Sequence, residues 1–140
     1  MASKKMGRKI DTIYAGVNFE FGALEIGSKD DQTKEIKDGR LKLPFVMKDI
    51  LLNIVCKVPG VLNKVHIIGY CINGNKLEFL DMDCPQGYVT RVRRLNQMEY
   101  PIDSIDFINR LRPLMEVAYI DKFIMEQTWT TIKRLNNFLF

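Results

Sequence analysis

Apolar positions along the chain change period several times, and each change predicts an element. Between Ile10 and Gly27 they alternate in two short runs separated by Ala15-Gly16-Val17-Asn18. Gly16 and Asn18 tolerate positive φ, so the stretch predicts two strands joined by a tight turn. From Leu43 to Lys57, Val46, Met47, Ile50, Leu51, Ile54 and Val55 recur at i, i+3, i+4 spacing. That spacing predicts a helix with one broad apolar face, with Pro44 in its first turn and Pro59-Gly60 at its stop. Val65–Ile72 is apolar on both faces and predicts a central strand. Asn73-Gly74-Asn75 then predicts a hairpin, because Asn-Gly supplies the positive φ angles of a tight turn. Leu77–Met82 is the return strand, Asp83–Gly87 the next turn, and Tyr88–Leu95 a third strand nearer an edge.

From Pro101 onward the period is helical. Asp103 or Ser104 is the expected N-cap, followed by Ile105, Phe107, Ile108 and Leu111. Pro113 is expected to kink the run or divide it. Met115, Ala118, Tyr119, Phe123, Ile124, Trp129, Ile132, Leu135, Phe138 and Leu139 continue the apolar stripe almost to the last residue. The pattern as a whole predicts an α+β domain over 10–140. Its sheet is mixed or antiparallel with about five strands, a helix follows the second strand, and 102–140 form a long C-terminal helical segment. The body is expected to cover part of that segment; the remainder predicts a homo-oligomer or a partner chain on the helix.

Composition narrows the class. A length of 140 residues, 46% hydrophobic and 27% charged, is that of one ordinary globular domain with a modest core. No run reaches the roughly 18 consecutive apolar residues of a spanning helix, so no membrane insertion is expected. Cys56, Cys71 and Cys84 are odd in number and lack C-x-x-C spacing, which excludes a zinc site or disulfide framework and predicts reduced thiols in an intracellular protein. His66, the only histidine, sits in an apolar strand, where a satisfied histidine is expected; with one histidine, Ser–His and Cys–His hydrolase arrangements are unsupported. The net charge of +4 is carried by Lys4, Lys5, Arg8 and Lys9, a basic arm over residues 1–9 on a neutral body. Such an arm can contact phosphates or serve as a nuclear signal, and it can equally be a solubilising terminus. Arg91, Arg93 and Arg94 form the one basic cluster of the body. Strand alternation puts Arg91 and Arg93 on one face and Arg94 on the other, fit for phosphate or for blunting a sheet edge.

Two carboxylates, Asp11 and Glu25, lie on the first two strands. A turn centred on Val17 places Asp11 opposite Ala23 with Glu25 two positions along the same face; a turn centred between Gly16 and Val17 puts Glu25 on the other face. If they converge, they form a hard-oxygen site suited to Mg²⁺ or Mn²⁺. The alternative is a solvated Asp11 and a Glu25 paired with a lysine.

The segments Gly7-Arg8-Lys9-Ile10-Asp11, Glu20-Phe21-Gly22-Ala23-Leu24-Glu25-Ile26-Gly27 and Lys42–Leu51 resemble uncharacterised fungal proteins with a PD-(D/E)XK, restriction-endonuclease-like nuclease fold, over residues 7–100. The resemblance implies Asp11 and Glu25 as metal-binding and catalytic acids of an endonuclease-type domain. The family's lysine position falls on Gly27, so the pattern is broken there. Lys29 is the nearest replacement, with Lys42 and Lys48 more distant, and the family's leading helix has no room in residues 1–9. Two functions follow as expectations. In the first, Asp11, Glu25 and Lys29 cut nucleic acid with Mg²⁺ or Mn²⁺. In the second, a non-catalytic relative binds nucleic acid through Lys4, Lys5, Arg8, Lys9, Arg91, Arg93 and Arg94, or serves as an assembly module.

Overall fold

In the computed structural model, residues 10, 12–16, 18–27 and 41–137 are described. Strands β1 (Thr12–Ala15), β2 (Glu20–Gly27), β3 (Ile67–Asn73), β4 (Lys76–Gln86) and β5 (Val89–Arg94) form a mixed sheet in the order β1-β2-β3-β4-β5. A two-residue strand, β6 (Met98–Glu99), pairs with the start of β4. Helix α1 (Leu43–Lys57) follows β2, and helix α2 (Phe107–Asn137) is the last element among the described residues. The β2–β3 pair is parallel and the other pairs are antiparallel. The parallel pair exists because α1 carries the chain back across the sheet, the connection that parallel neighbours require. The architecture is the α+β one expected from the pattern of apolar positions.

Alternation along the strands divides the sheet into two faces. Phe21, Ala23, Ile67, Cys71, Leu80, Met82 and Cys84 join Leu43, Val46, Met47, Ile50, Leu51 and Ile54 of α1 in the main core. Gly69 lies beneath α1 because a side chain there would collide: a Cβ would stand 2.5 Å from Met47 Sδ and 3.4 Å from Leu43. Helix α1 stops at Val58, whose N–H donates to Ile54 O at 2.8 Å before Pro59 ends the pattern. The opposite face presents Leu24, Tyr70, Ile72, Leu77 and Phe79 toward Leu114, Ala118 and Met125 of α2, around an apolar cavity of about 510 Å³. Farther along, α2 reaches the main core itself. Ile132 is buried there, and Trp129 stands edge-on to Phe21 with ring centroids 5.9 Å apart.

Four local expectations are corrected. The β1–β2 register matches neither expected turn: Ala23 pairs with Ile13, and the ladder shifts between Tyr14 and Ala15. The shift accommodates a wider turn, with Asn18 at φ 72° and Gly16 N–H donating to Phe19 O at 2.8 Å. Asp83 and Cys84 do not turn. Strand β4 continues to Gln86, and its irregularity between Asp83 and Gln86 holds Pro85, which has no N–H to give the ladder. Pro113 does not divide α2, since both it and Asn109, whose carbonyl loses its amide partner, are exposed to water. Finally, α2 begins after Asp103 and Ser104. Asp106, at φ 59°, accepts the Arg110 N–H at 3.0 Å and bonds the Asn109 side chain at 2.9 Å.

The close approach at Gly69 makes a prediction. Gly69→Val should cost about 1–3 kcal/mol by overpacking and Met47→Ala about 2–5 kcal/mol by opening a cavity. In urea unfolding the double variant should lose at least about 1 kcal/mol less than the sum of the two, because each change relieves the other. Simple additivity would show that the two residues do not compete for one space.

Candidate functional site

Glu25 lies on the α1 face of β2, following Phe21 and Ala23, and is only 4% exposed. A carboxylate at that depth requires a partner. The partner is Lys42, the residue at the N-cap of α1, whose Nζ donates to Glu25 Oε1 at 2.6 Å. The second oxygen, Oε2, is buried and has no hydrogen-bond partner among the described residues.

A second orphan oxygen belongs to the same strand ends. Glu25 pairs with Cys71, and Gly27 with Asn73, in the parallel register of β2 and β3. Asn73 therefore shares the Glu25 face, where its Nδ2 donates to Cys71 Sγ at 3.5 Å and its Oδ1 is buried without a partner among the described residues. The Asn73 amide lies over Gly27, so that a Cβ at Gly27 would overlap Asn73 Oδ1. The position to which the resemblance would assign a lysine is thus covered by an amide. The ammonium that reaches Glu25 comes from the start of the next helix instead. Glu25, Lys42, Cys71 and Asn73 stand at the carboxyl ends of the two parallel strands, where α/β sheets commonly hold ligands.

Among the described residues no group of three or more His, Cys, Asp or Glu side chains converges to hold a metal. The local donors nevertheless suit a hard cation, since a carboxylate oxygen and an amide oxygen are both buried and without a partner among the described residues. Asp11 and Lys29, and Lys4, Lys5, Arg8 and Lys9 of the basic arm, lie outside the described residues.

The arginine strand is compensated within the sheet. Arg91 makes a two-pronged pair with Asp83, at 3.0 and 2.8 Å. Arg93 bonds Asp81 at 2.7 Å, and Arg94 bonds Glu78 at 2.7 Å. Arg91 holds the Asp83 carboxyl below its ordinary range, mainly through that hydrogen bond. The other side of Asp81 receives His66, with Nδ1 at 2.8 Å, so the histidine is satisfied as its apolar setting suggested.

A second buried group carries no mark in the sequence. Asp121 of α2 is 7% exposed, and its Oδ2 has no hydrogen-bond partner among the described residues. Burial pushes its carboxyl up to about 6, opposed by the Tyr70 hydroxyl that hydrogen-bonds it and reinforced by the nearby Asp81. Tyr70 is itself raised, chiefly by burial and then by Asp121. About two turns farther along α2, Thr128 accepts the His66 N–H at 3.4 Å and donates to His66 O at 3.3 Å, tying the helix to the start of β3. No pattern signal marks Asp121, which occupies a position in an otherwise ordinary amphipathic stripe.

No helix among the described residues is long and apolar enough to cross a membrane. Cys56 is exposed while Cys71 and Cys84 are buried, and all three are free cysteines. Comparison with protein-family models, with curated proteins and with solved structures gives no match.

Asp121 makes stability depend on pH. Its carboxyl is raised in the folded protein from 3.8 to about 6, so the unfolded chain ionises first and folding loses stability as pH rises from about 4 to about 6. The loss is on the order of 3 kcal/mol and levels off above that window. Asp121→Asn should flatten this segment of the curve and stabilise the protein at neutral pH, as read by urea unfolding at a series of pH values. A wild-type stability that rises steadily from pH 4 to 7, unchanged by the substitution, would show that Asp121 is not the group.

Proposed function

We propose that this chain is a PD-(D/E)XK-like, metal-dependent nuclease-type domain acting on nucleic acid inside the cell, with Glu25 as its central acid. The observation that carries the reading is the buried Glu25 carboxylate, with one oxygen on Lys42 and the other without a partner among the described residues, on the same sheet face as the Asn73 amide oxygen, which likewise has none. A protein core tolerates unpaired buried oxygens poorly, and a divalent cation is a partner both would accept. Mg²⁺ or Mn²⁺ would be held by Glu25, Asn73 and, as the resemblance implies, Asp11; when bound it supplies Lewis acidity toward a phosphodiester.

The protein's own groups do the rest. Lys42, rather than a lysine two residues after Glu25, places an ammonium at the carboxylate, where it can also meet a phosphate oxygen. Lys29, on the segment that follows β2, remains the second ammonium of the proposal. Ala23 and Cys71 beside Glu25 keep that face dry, which strengthens every charge interaction there. The basic arm with Lys4, Lys5, Arg8 and Lys9 would hold the phosphate backbone and could direct the chain to the nucleus. Arg91, Arg93 and Arg94 would add less, because each already faces a carboxylate.

One observation favours a second reading, a non-catalytic nucleic-acid-binding or assembly module. Lys42 neutralises Glu25 and so competes with any cation for it. A single set of measurements separates the two readings. In the first, millimolar Mn²⁺ raises the melting temperature and supports cleavage of DNA or RNA, and Glu25→Gln abolishes both. Lys42→Met destabilises the metal-free protein by on the order of 2–3 kcal/mol, less than for a fully enclosed pair, and Mn²⁺ restores a larger share of stability than in the wild type. In the second, melting ignores Mn²⁺ and no substrate is cut, while salt-dependent binding persists. The Arg91, Arg93 and Arg94 triple alanine variant would then lower the slope of log affinity against log salt by roughly 0.9 for each phosphate it no longer neutralises.

A further inference from the structure

Helix α2 carries two stripes. One, through Leu114, Asp121, Thr128 and Ile132, is buried against the sheet and core. The other lies on the opposite side of the helix and is apolar yet open to solvent: Ile108 is 79% exposed, Met115 61%, Tyr119 73% and Phe123 54%. Exposed apolar area of this kind along one helix marks an interaction surface. What occupies it can be read from its charges.

Two turns of helix are close to seven residues, so Arg112, Tyr119 and Glu126 lie on nearly one line along α2. Arg112 stands seven residues before Tyr119 and Glu126 seven after. Met115 and Phe123 stand four residues to either side of the same tyrosine. The stripe therefore has an apolar centre and ends of opposite charge, equally spaced from Tyr119. A two-fold axis at Tyr119, with the helices antiparallel, places Arg112 against the partner's Glu126 and Glu126 against the partner's Arg112. It also places Met115 against the partner's Phe123, and the reverse. A parallel copy would oppose arginine to arginine and glutamate to glutamate. Within each helix Arg112 bonds Glu116 at 3.2 Å and Lys122 lies 3.8 Å from Glu126. Each cross-helix pair thus extends an existing one into a longer chain of alternating charge. We propose that the exposed stripe of α2 is an isologous interface, on which a second copy of this chain packs antiparallel about Tyr119. The inference is independent of the chemistry at Glu25.

The test is sedimentation of the full chain at micromolar concentration, in moderate salt, for the wild type, Arg112→Glu and Glu126→Arg. The wild type is expected to be a dimer. Each single reversal turns both symmetry-related charge pairs repulsive and should weaken the dimer at least about tenfold. An equimolar mixture of the two variants should re-form a dimer. In the mixed dimer the introduced glutamate of one chain meets the introduced arginine of the other, and the second charge pair keeps its native signs. That rescue separates loss of an interface from loss of fold. A monomeric wild type would overturn the proposal and leave the stripe to a different partner. A dimer indifferent to both reversals, or one that the mixture does not restore, would overturn the antiparallel pairing about Tyr119.

Discussion

The ion pair between Glu25 and Lys42 is the constraint on which the rest of the structure turns. It joins the end of β2 to the start of α1 at 2.6 Å, and it fixes where the helix begins its passage over the sheet. Removing Lys42 would leave the buried Glu25 carboxylate without its cation, an outcome costlier than never having placed the pair there. From that anchor, α1 lays Leu43 and Met47 over Gly69, and β3 can enter parallel to β2. The parallel pair in turn aligns Glu25 with Cys71 and Gly27 with Asn73, so the candidate site and the topology have one cause.

The same arrangement accounts for glycine at position 27, where the nuclease resemblance would imply a lysine. A side chain at position 27 would collide with the Asn73 amide unless that amide moved. Glycine at that position and lysine at the head of the next helix are two parts of one solution. The ammonium beside Glu25 is supplied by Lys42. What is left over is a pair of buried oxygens with no protein partner among the described residues. In native proteins such groups are rare enough that each calls for a ligand, a solvent molecule or a functional role.

Local elements were legible wherever neighbouring residues decide them. Helix α1 follows from its apolar spacing and its flanking prolines, and the β3–β4 hairpin from Asn73-Gly74, with Gly74 at φ 62°. Elements that depend on distant partners were not. Asp83-Cys84-Pro85 has the composition of a turn, yet Asp83 is held in the strand by Arg91 across the ladder. Pro113 looks like a break, yet exposure of Asn109 lets the helix continue. Glu25 could be singled out as a carboxylate in a strand, but its partner stands 17 residues away across a segment of no clear pattern. Asp121 and Tyr70 meet only when α2 folds back on the sheet, so neither carries a local mark.

On the proposed reading, the orphan oxygens of Glu25 and Asn73 are cation ligands. Anomalous scattering from crystals grown with Mn²⁺ tests it most directly. One manganese peak is expected about 2.0–2.5 Å from both Glu25 Oε2 and Asn73 Oδ1, the bond length of hard cations of this size to oxygen. Diffraction showing Glu25 held by Lys42 alone, with the only manganese elsewhere on the surface, would contradict it.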